Sequence, residues 1–102
     1  MSIGTKQNPK PFRPVSPGEI LRDELEARGW SQKELAERIT RPYQAVNEII
    51  RGRKQITAAT ALALSSALGT SAEFWMNLET SYRLDLARRE LRQRRRLKPA
   101  AA

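Results

Sequence analysis

Tyr43, Gln44, Asn47, Glu48 and Arg51 recur at spacings of three and four, so on a helix they share one side. These residue types recognise by hydrogen bonding. The amides of Gln44 and Asn47 each carry a donor and an acceptor, the pairing that matches N7 and N6 of adenine in the major groove of duplex DNA. Glu48 has two readings: it accepts from cytosine N4, or it orients Arg51. Arg51, Arg53 and Lys54 flank Gly52 just beyond, where backbone phosphates would pass. Gln32, Lys33 and Arg41 precede the segment and complete a set suited to the other backbone wall.

Catalytic chemistry has little to work with. The chain has no histidine and no cysteine, which removes the commonest general base, the thiol nucleophile and the commonest metal ligands. The acids are spread over helix surfaces without converging. Ser65 and Ser66 stand in a run of small residues and read as packing. The expectation is a binding protein, not an enzyme, with no metal and no cofactor.

The elements that must present these residues are helices. Ser16, Pro17 and Glu19 make a capping box with proline at the first helical position. Ile20, Leu21 and Leu25 follow as an apolar stripe, and Gly29 is a stop. Ser31 and Glu34 make a second box ahead of Leu35, Ala36 and Ile39. Val46, Ile49 and Ile50 then mark the inward side of the short helix that carries the amides. A helix of about ten residues is about 15 Å long and fits a major groove about 12 Å wide. Thr57 caps a small-residue helix that ends at Gly69. Thr70 and Glu73 make a third box before a helix carrying Phe74, Trp75, Leu78 and Tyr82. No stretch alternates long enough to demand a strand. The fold class is therefore all-α, with five helices near 17–28, 32–39, 42–51, 58–68 and 71–90. Ala36, a tight turn, an amide-rich outer face and a basic loop, in that order, are the pattern of a helix-turn-helix.

The net charge is +8, and its location matters more than its size. Residues 1–14 carry +3, residues 83–98 carry +6, and the body between them carries −1. Residues 1–14, with three prolines, read as a flexible arm suited to a minor groove or a partner. Residues 15–91 form the folded domain, and residues 92–102 read as a basic disordered tail; the run ARRELRQRRRLK can also be read as a helix with Glu90–Arg94 support, and it either grips DNA flanks by nonspecific charge, the reading put first, or frays freely. No apolar run approaches the roughly 20 residues of a membrane span, and the N-terminus lacks the apolar core of a signal peptide. A cytoplasmic location is expected, with no membrane partner.

The stretch LAERITRPYQAVNEIIRGRKQITAATALALSSALGTSAEFWMNLETSYRL resembles the lambda-repressor-like, XRE-type DNA-binding family. Within that family, PGEIL, SQKELA, VNEIIRGRKQIT and EFWMNL are similar to the HigA branch of antitoxins. The likeness covers about residues 16–84. It implies a five-helix autorepressor that binds a palindromic double-stranded operator as a homodimer and neutralises a RelE- or HigB-like ribonuclease toxin. A transcriptional repressor with no toxin partner is the alternative, and an adaptor that no longer reads DNA is a third reading. Carried over by position, the family's base contacts fall on Tyr43, Gln44, Asn47 and Glu48, its second-helix contact on Gln32, and its phosphate contacts on Arg51 and Arg53. Two residues depart from the family pattern: Thr40 stands where glycine is usual, and Arg41 where an apolar residue is usual. A β-branched residue disfavours positive φ, so a different backbone path is expected in the turn.

One recognition helix reads only a few base pairs, which argues for two copies one DNA turn apart. Phe74 and Trp75 are expected in the core. Met76, Tyr82, Leu84 and Leu86 are assigned to a dimer seam on helix five, because five helices cannot turn every large side chain inward. The candidates for a toxin-facing surface are the N-terminal arm with helix one and the outer face of helix five; the sequence does not choose between them.

Overall fold

The computed structural model describes residues 14–97, so the N-terminal arm lies almost wholly outside the described residues. Five helices follow in order: α1 (Pro17–Arg28), α2 (Gln32–Arg38), α3 (Tyr43–Ile50), α4 (Ala58–Leu68) and α5 (Ala72–Leu97). No strand occurs among the described residues. None of these helices is long and apolar enough to cross a membrane.

Local chemistry sets the helix starts. The Ser16 hydroxyl accepts from the Glu19 N–H, and the Glu19 carboxylate accepts in return from the Ser16 N–H. Ser31 and Glu34 repeat that exchange at α2. Each box satisfies two of the donors that a helix start leaves without partners. Thr57 caps α4 by accepting from the Thr60 N–H. The expected box of Thr70 with Glu73 does not form. Ser71 takes the cap by accepting from the Phe74 N–H at 3.0 Å, and the Thr70 hydroxyl instead accepts from the Trp75 indole N–H at 2.7 Å. A buried indole needs a partner for its N–H, and Thr70 lies within reach.

The core gathers Leu21, Leu35, Val46, Leu64 and Trp75, each essentially inaccessible to solvent, with Ile49, Ile50 and Ile56 around them. Helix α3 is braced by α1 and α2, while α5 packs on α4 and α1. Gly18 allows the α1–α3 approach: a Cβ there would sit 2.2 Å from the Ile49 carbonyl oxygen and 2.6 Å from that of Ile50. Phe74 departs from the expected core. It is 39% exposed and lies edge-on against Trp75, with ring centroids 5.0 Å apart. Trp75 fills the space beneath, which leaves Phe74 at the rim.

Two further differences concern the turn and the C-terminus. Thr40 adopts φ 55°, so the chain takes the left-handed path that its β-branched side chain disfavours. The reason is hydrogen bonding. The Arg41 N–H donates to the Ala36 carbonyl at 3.0 Å and the Thr40 N–H to that of Glu37 at 3.3 Å, the two bonds of a Schellman closure. Those bonds satisfy carbonyls at the end of α2 and hold the turn whichever residue occupies it. At the other end, α5 does not stop near residue 91 but continues through Leu97, so residues 92–97 of the expected disordered tail are helical. Ion pairs of Asp85 with Arg88 and of Glu90 with Arg94, at helical spacing, support that extension, as do good helix formers throughout. Residues 98–102 lie outside the described residues.

Candidate nucleic-acid interface

Helix α3 is anchored from behind and open in front. Val46, Ile49 and Ile50 are buried, while Tyr43 is 52% exposed and Gln44 is exposed beside it. Asn47 and Glu48 are half-buried on the same side. Pro42 precedes the helix at φ −63° and sets its first turn without a side-chain cap.

Helices α2 and α3 meet through one amide pair. The Asn47 side-chain N–H donates to the Gln32 side-chain oxygen at 3.0 Å. Among the described residues that bond leaves the Asn47 oxygen and its second N–H free, a donor and an acceptor of the kind a bidentate contact to adenine requires. The Gln32 NH2 remains free as well. An amide held by a neighbour loses less freedom on binding than one that rotates in solvent. Glu48 forms no ion pair with Arg51 among the described residues, so the reading in which it orients that arginine is not supported.

The basic loop after α3 is held at both ends. At its start, the Gly52 N–H donates to the Ile49 carbonyl at 3.0 Å and the Arg53 N–H to that of Glu48 at 2.8 Å. Gly52, at φ 77°, takes the left-handed position of this closure. At the far end, the Ile56 N–H donates at 3.0 Å to the carboxylate of Glu79 on α5. Glu79 is only 5% exposed and is ion-paired with Arg83, which compensates its burial. Between these anchors Arg51, Arg53 and Lys54 are exposed and carry no ion pair among the described residues. The surface is therefore an amide-bearing helix followed by three free cations on a fixed loop. Lys33 is exposed at the start of α2, one residue beyond Gln32.

Arg41 differs from that set in having a partner within the fold. It is half-buried, and its guanidinium donates to the Thr60 hydroxyl of α4 at 2.9 Å. Following Thr40 at the reversal, its side chain is drawn onto α4, where it ties the turn to the body. Met76 is half-buried against the core and Leu86 is half-buried. Tyr82 is half-buried under the Arg83 guanidinium, 5.1 Å from its ring centroid. Leu84 is 47% exposed, and Leu62 on α4 and Phe74 add exposed apolar surface. The sequence reading missed three features: the Gln32–Asn47 pair, the Glu79 clasp, and the contact of Trp30 with the guanidiniums of Arg28 and Arg38, at 5.4 and 3.9 Å from its ring centroid. Only the last has a local signal, two arginines within eight residues of a tryptophan.

A five-helix body whose second and third helices meet at a tight turn, with polar groups on the outer side of the third, defines the helix-turn-helix class. The pattern of the helix-turn-helix family matches residues 21–75. Virulence-associated protein I of Dichelobacter nodosus is 40% identical over 91 residues, covering 88% of this chain and 82% of its own length. Antitoxin HigA-1 of Vibrio cholerae is 43% identical over 68 residues, covering 66% of this chain and 64% of its own. The solved structure of Pseudomonas aeruginosa antitoxin HigA with the higBA promoter superposes with a TM-score of 0.75 at 37% identity, covering 88% of this chain and all of that one. The chain belongs to the HigA branch of the helix-turn-helix family.

Proposed function

We propose that this protein is a DNA-binding antitoxin that represses its own operon by laying α3 in the major groove of an operator. The observation that carries this reading is the outer side of α3, where Asn47 is braced by Gln32 beside exposed Tyr43 and Gln44. Tyr43, Gln44, Asn47 and Glu48 face base edges. Gln32, Lys33, Arg51, Arg53 and Lys54 hold phosphates, which position the protein without reading sequence. Arg41 joins them through the donors that its bond to Thr60 leaves over. The solved structure of a relative with its promoter supports the DNA-binding reading.

A homodimer with a twofold axis on a palindromic operator follows from the small footprint of one helix. Its seam draws on exposed Leu84 with Tyr82 and Leu86 of α5, and Met76 contributes only its outer edge. Neutralisation of a RelE-like ribonuclease toxin rests on membership of the HigA branch. The test of the DNA reading is titration of the protein against its own upstream DNA, with Asn47→Ala in parallel. Removing the amide should cost about 1–3 kcal/mol and relax discrimination at one base pair per half-site, whereas Arg53→Ala should weaken all sequences alike. Unchanged operator affinity in Asn47→Ala would end this reading.

A further inference from the structure

Beyond the recognition helix, the last three turns of α5 form a second charged surface. From residue 85 to residue 97 the helix carries six arginines against Asp85 and Glu90. Both acids are engaged, Asp85 by Arg88 at 3.5 Å and Glu90 by Arg94 at 3.3 Å. Arg89, Arg92, Arg95 and Arg96 have no ion-pair partner among the described residues. Three of these four, Arg89, Arg92 and Arg96, recur at spacings of three and four, so they fall on one side of the helix together with Gln93. Every residue from Ala87 to Leu97 is exposed, so nothing among the described residues covers this stripe.

We propose that the Arg89–Arg92–Arg96 stripe is a second phosphate-binding surface, which holds duplex DNA flanking the operator. The proposal rests on the operator reading for its context. Arg89 to Arg96 spans about 10 Å of helix axis. Duplex DNA carries one negative charge per roughly 1.7 Å, so a stripe of that length meets about six phosphate charges. The acids on this part of α5, Asp85 and Glu90, are already paired with Arg88 and Arg94. The Glu79–Ile56 clasp fixes where α5 passes the base of the basic loop. Arg89 lies ten residues further on, about 15 Å along the axis, and Arg96 about 25 Å. At 3.6 residues per turn Arg89, Arg92 and Arg96 lie roughly 80–140° round α5 from Glu79, so the stripe is a cationic surface separate from that of Arg51, Arg53 and Lys54. Guanidiniums favour phosphate over a point-charge contact because their fork pairs with two oxygens. Arginines near a helix C-terminus also complement the helix dipole, but that effect fades within the last turn and does not require three of them on one side.

The test compares the full chain with the triple variant Arg89→Gln, Arg92→Gln, Arg96→Gln. Glutamine keeps helix propensity, and the three side chains touch no core. Binding is measured between about 50 and 200 mM salt on two duplexes, one trimmed to the operator and one with long flanks. The expected result is a salt slope shallower by up to about 2.7 per protomer on the flanked duplex, at about 0.9 for each phosphate no longer neutralised. The trimmed duplex should show little change, and the ratio of operator to scrambled affinity should stay the same. The pair Arg88→Gln, Arg94→Gln removes arginines already engaged by acids and should move the slope less. An unchanged slope on the flanked duplex overturns the proposal and leaves the stripe to a partner other than DNA. A changed sequence preference overturns it too. Failure of the operator reading shows separately, as a wild-type protein that does not distinguish operator from scrambled DNA and an Asn47→Ala variant without effect.

Discussion

Replacing Gly18 by alanine sets two physical effects of opposite sign against each other. Alanine is the better helix former, and inside a helix the exchange is worth up to about 1 kcal/mol in favour of the variant. The tertiary structure opposes it. The added Cβ would lie 2.2 Å from the Ile49 carbonyl oxygen, 2.6 Å from that of Ile50 and 2.9 Å from the Ile50 carbonyl carbon. Ordinary contact begins near 3.4 Å, so α1 and the end of α3 must separate by about 1 Å. The obstructing atoms are backbone. The Ile49 carbonyl also accepts from the Gly52 N–H, so it cannot swing aside without opening the closure that begins the basic loop. Overpacking of this kind costs about 1–3 kcal/mol, and a clash with fixed backbone on a buried seam belongs at the upper end. The net expectation is a loss of about 2 kcal/mol. Denaturant unfolding of both proteins at one protomer concentration reads this directly, as a lower midpoint at an unchanged slope. Because the strain falls on α3, operator affinity should fall as well. A variant as stable as the parent, or more stable, would show that helix propensity wins and that the α1–α3 approach is looser than these distances imply.

Other substitutions probe the turn and the dimer seam. Thr40→Gly relieves a β-branched residue held at positive φ, a strain of about 1–2 kcal/mol, at the cost of about 0.5–1 kcal/mol of added freedom in the unfolded chain. It should raise stability by up to about 1.5 kcal/mol in the same unfolding assay, and a destabilised variant would mean that the threonine side chain makes a contact outweighing the strain. Leu84→Glu places a charge on the exposed apolar surface of α5 and should shift sedimentation from dimer toward monomer; an unaffected dimer would place the seam elsewhere, with Phe74 and Leu62 the next residues to change.

The helices and their starts are written locally. Ser16 with Glu19, and Ser31 with Glu34, are boxes of four consecutive residues, and the positions of Val46, Ile49 and Ile50 already state which side of α3 is buried. The amide-bearing side of α3 is legible for the same reason, because helical periodicity separates the two sides whatever the rest of the chain does. The cap of α5 departs from the sequence expectation because Thr70 and Ser71 are both good caps, and the choice between them depends on the Trp75 indole.

The remaining features depend on distances between residues far apart in the chain, or on competition for one partner. Gln32 and Asn47 stand fifteen residues apart, and nothing local says that their amides meet. Glu79 holds the Ile56 N–H across twenty-three residues, so a carboxylate that looks like surface charge is a buried anchor for the basic loop. Arg41 sits among phosphate-seeking neighbours in sequence, yet its guanidinium also holds Thr60. Thr40 accepts a left-handed conformation because two backbone hydrogen bonds at the end of α2 outweigh the preference of a single side chain. Periodicity and capping act over one or two turns, and so they are visible in a string of residues. Which distant groups share a hydrogen bond, and which strained residue is held in place, is settled only when the five helices pack together.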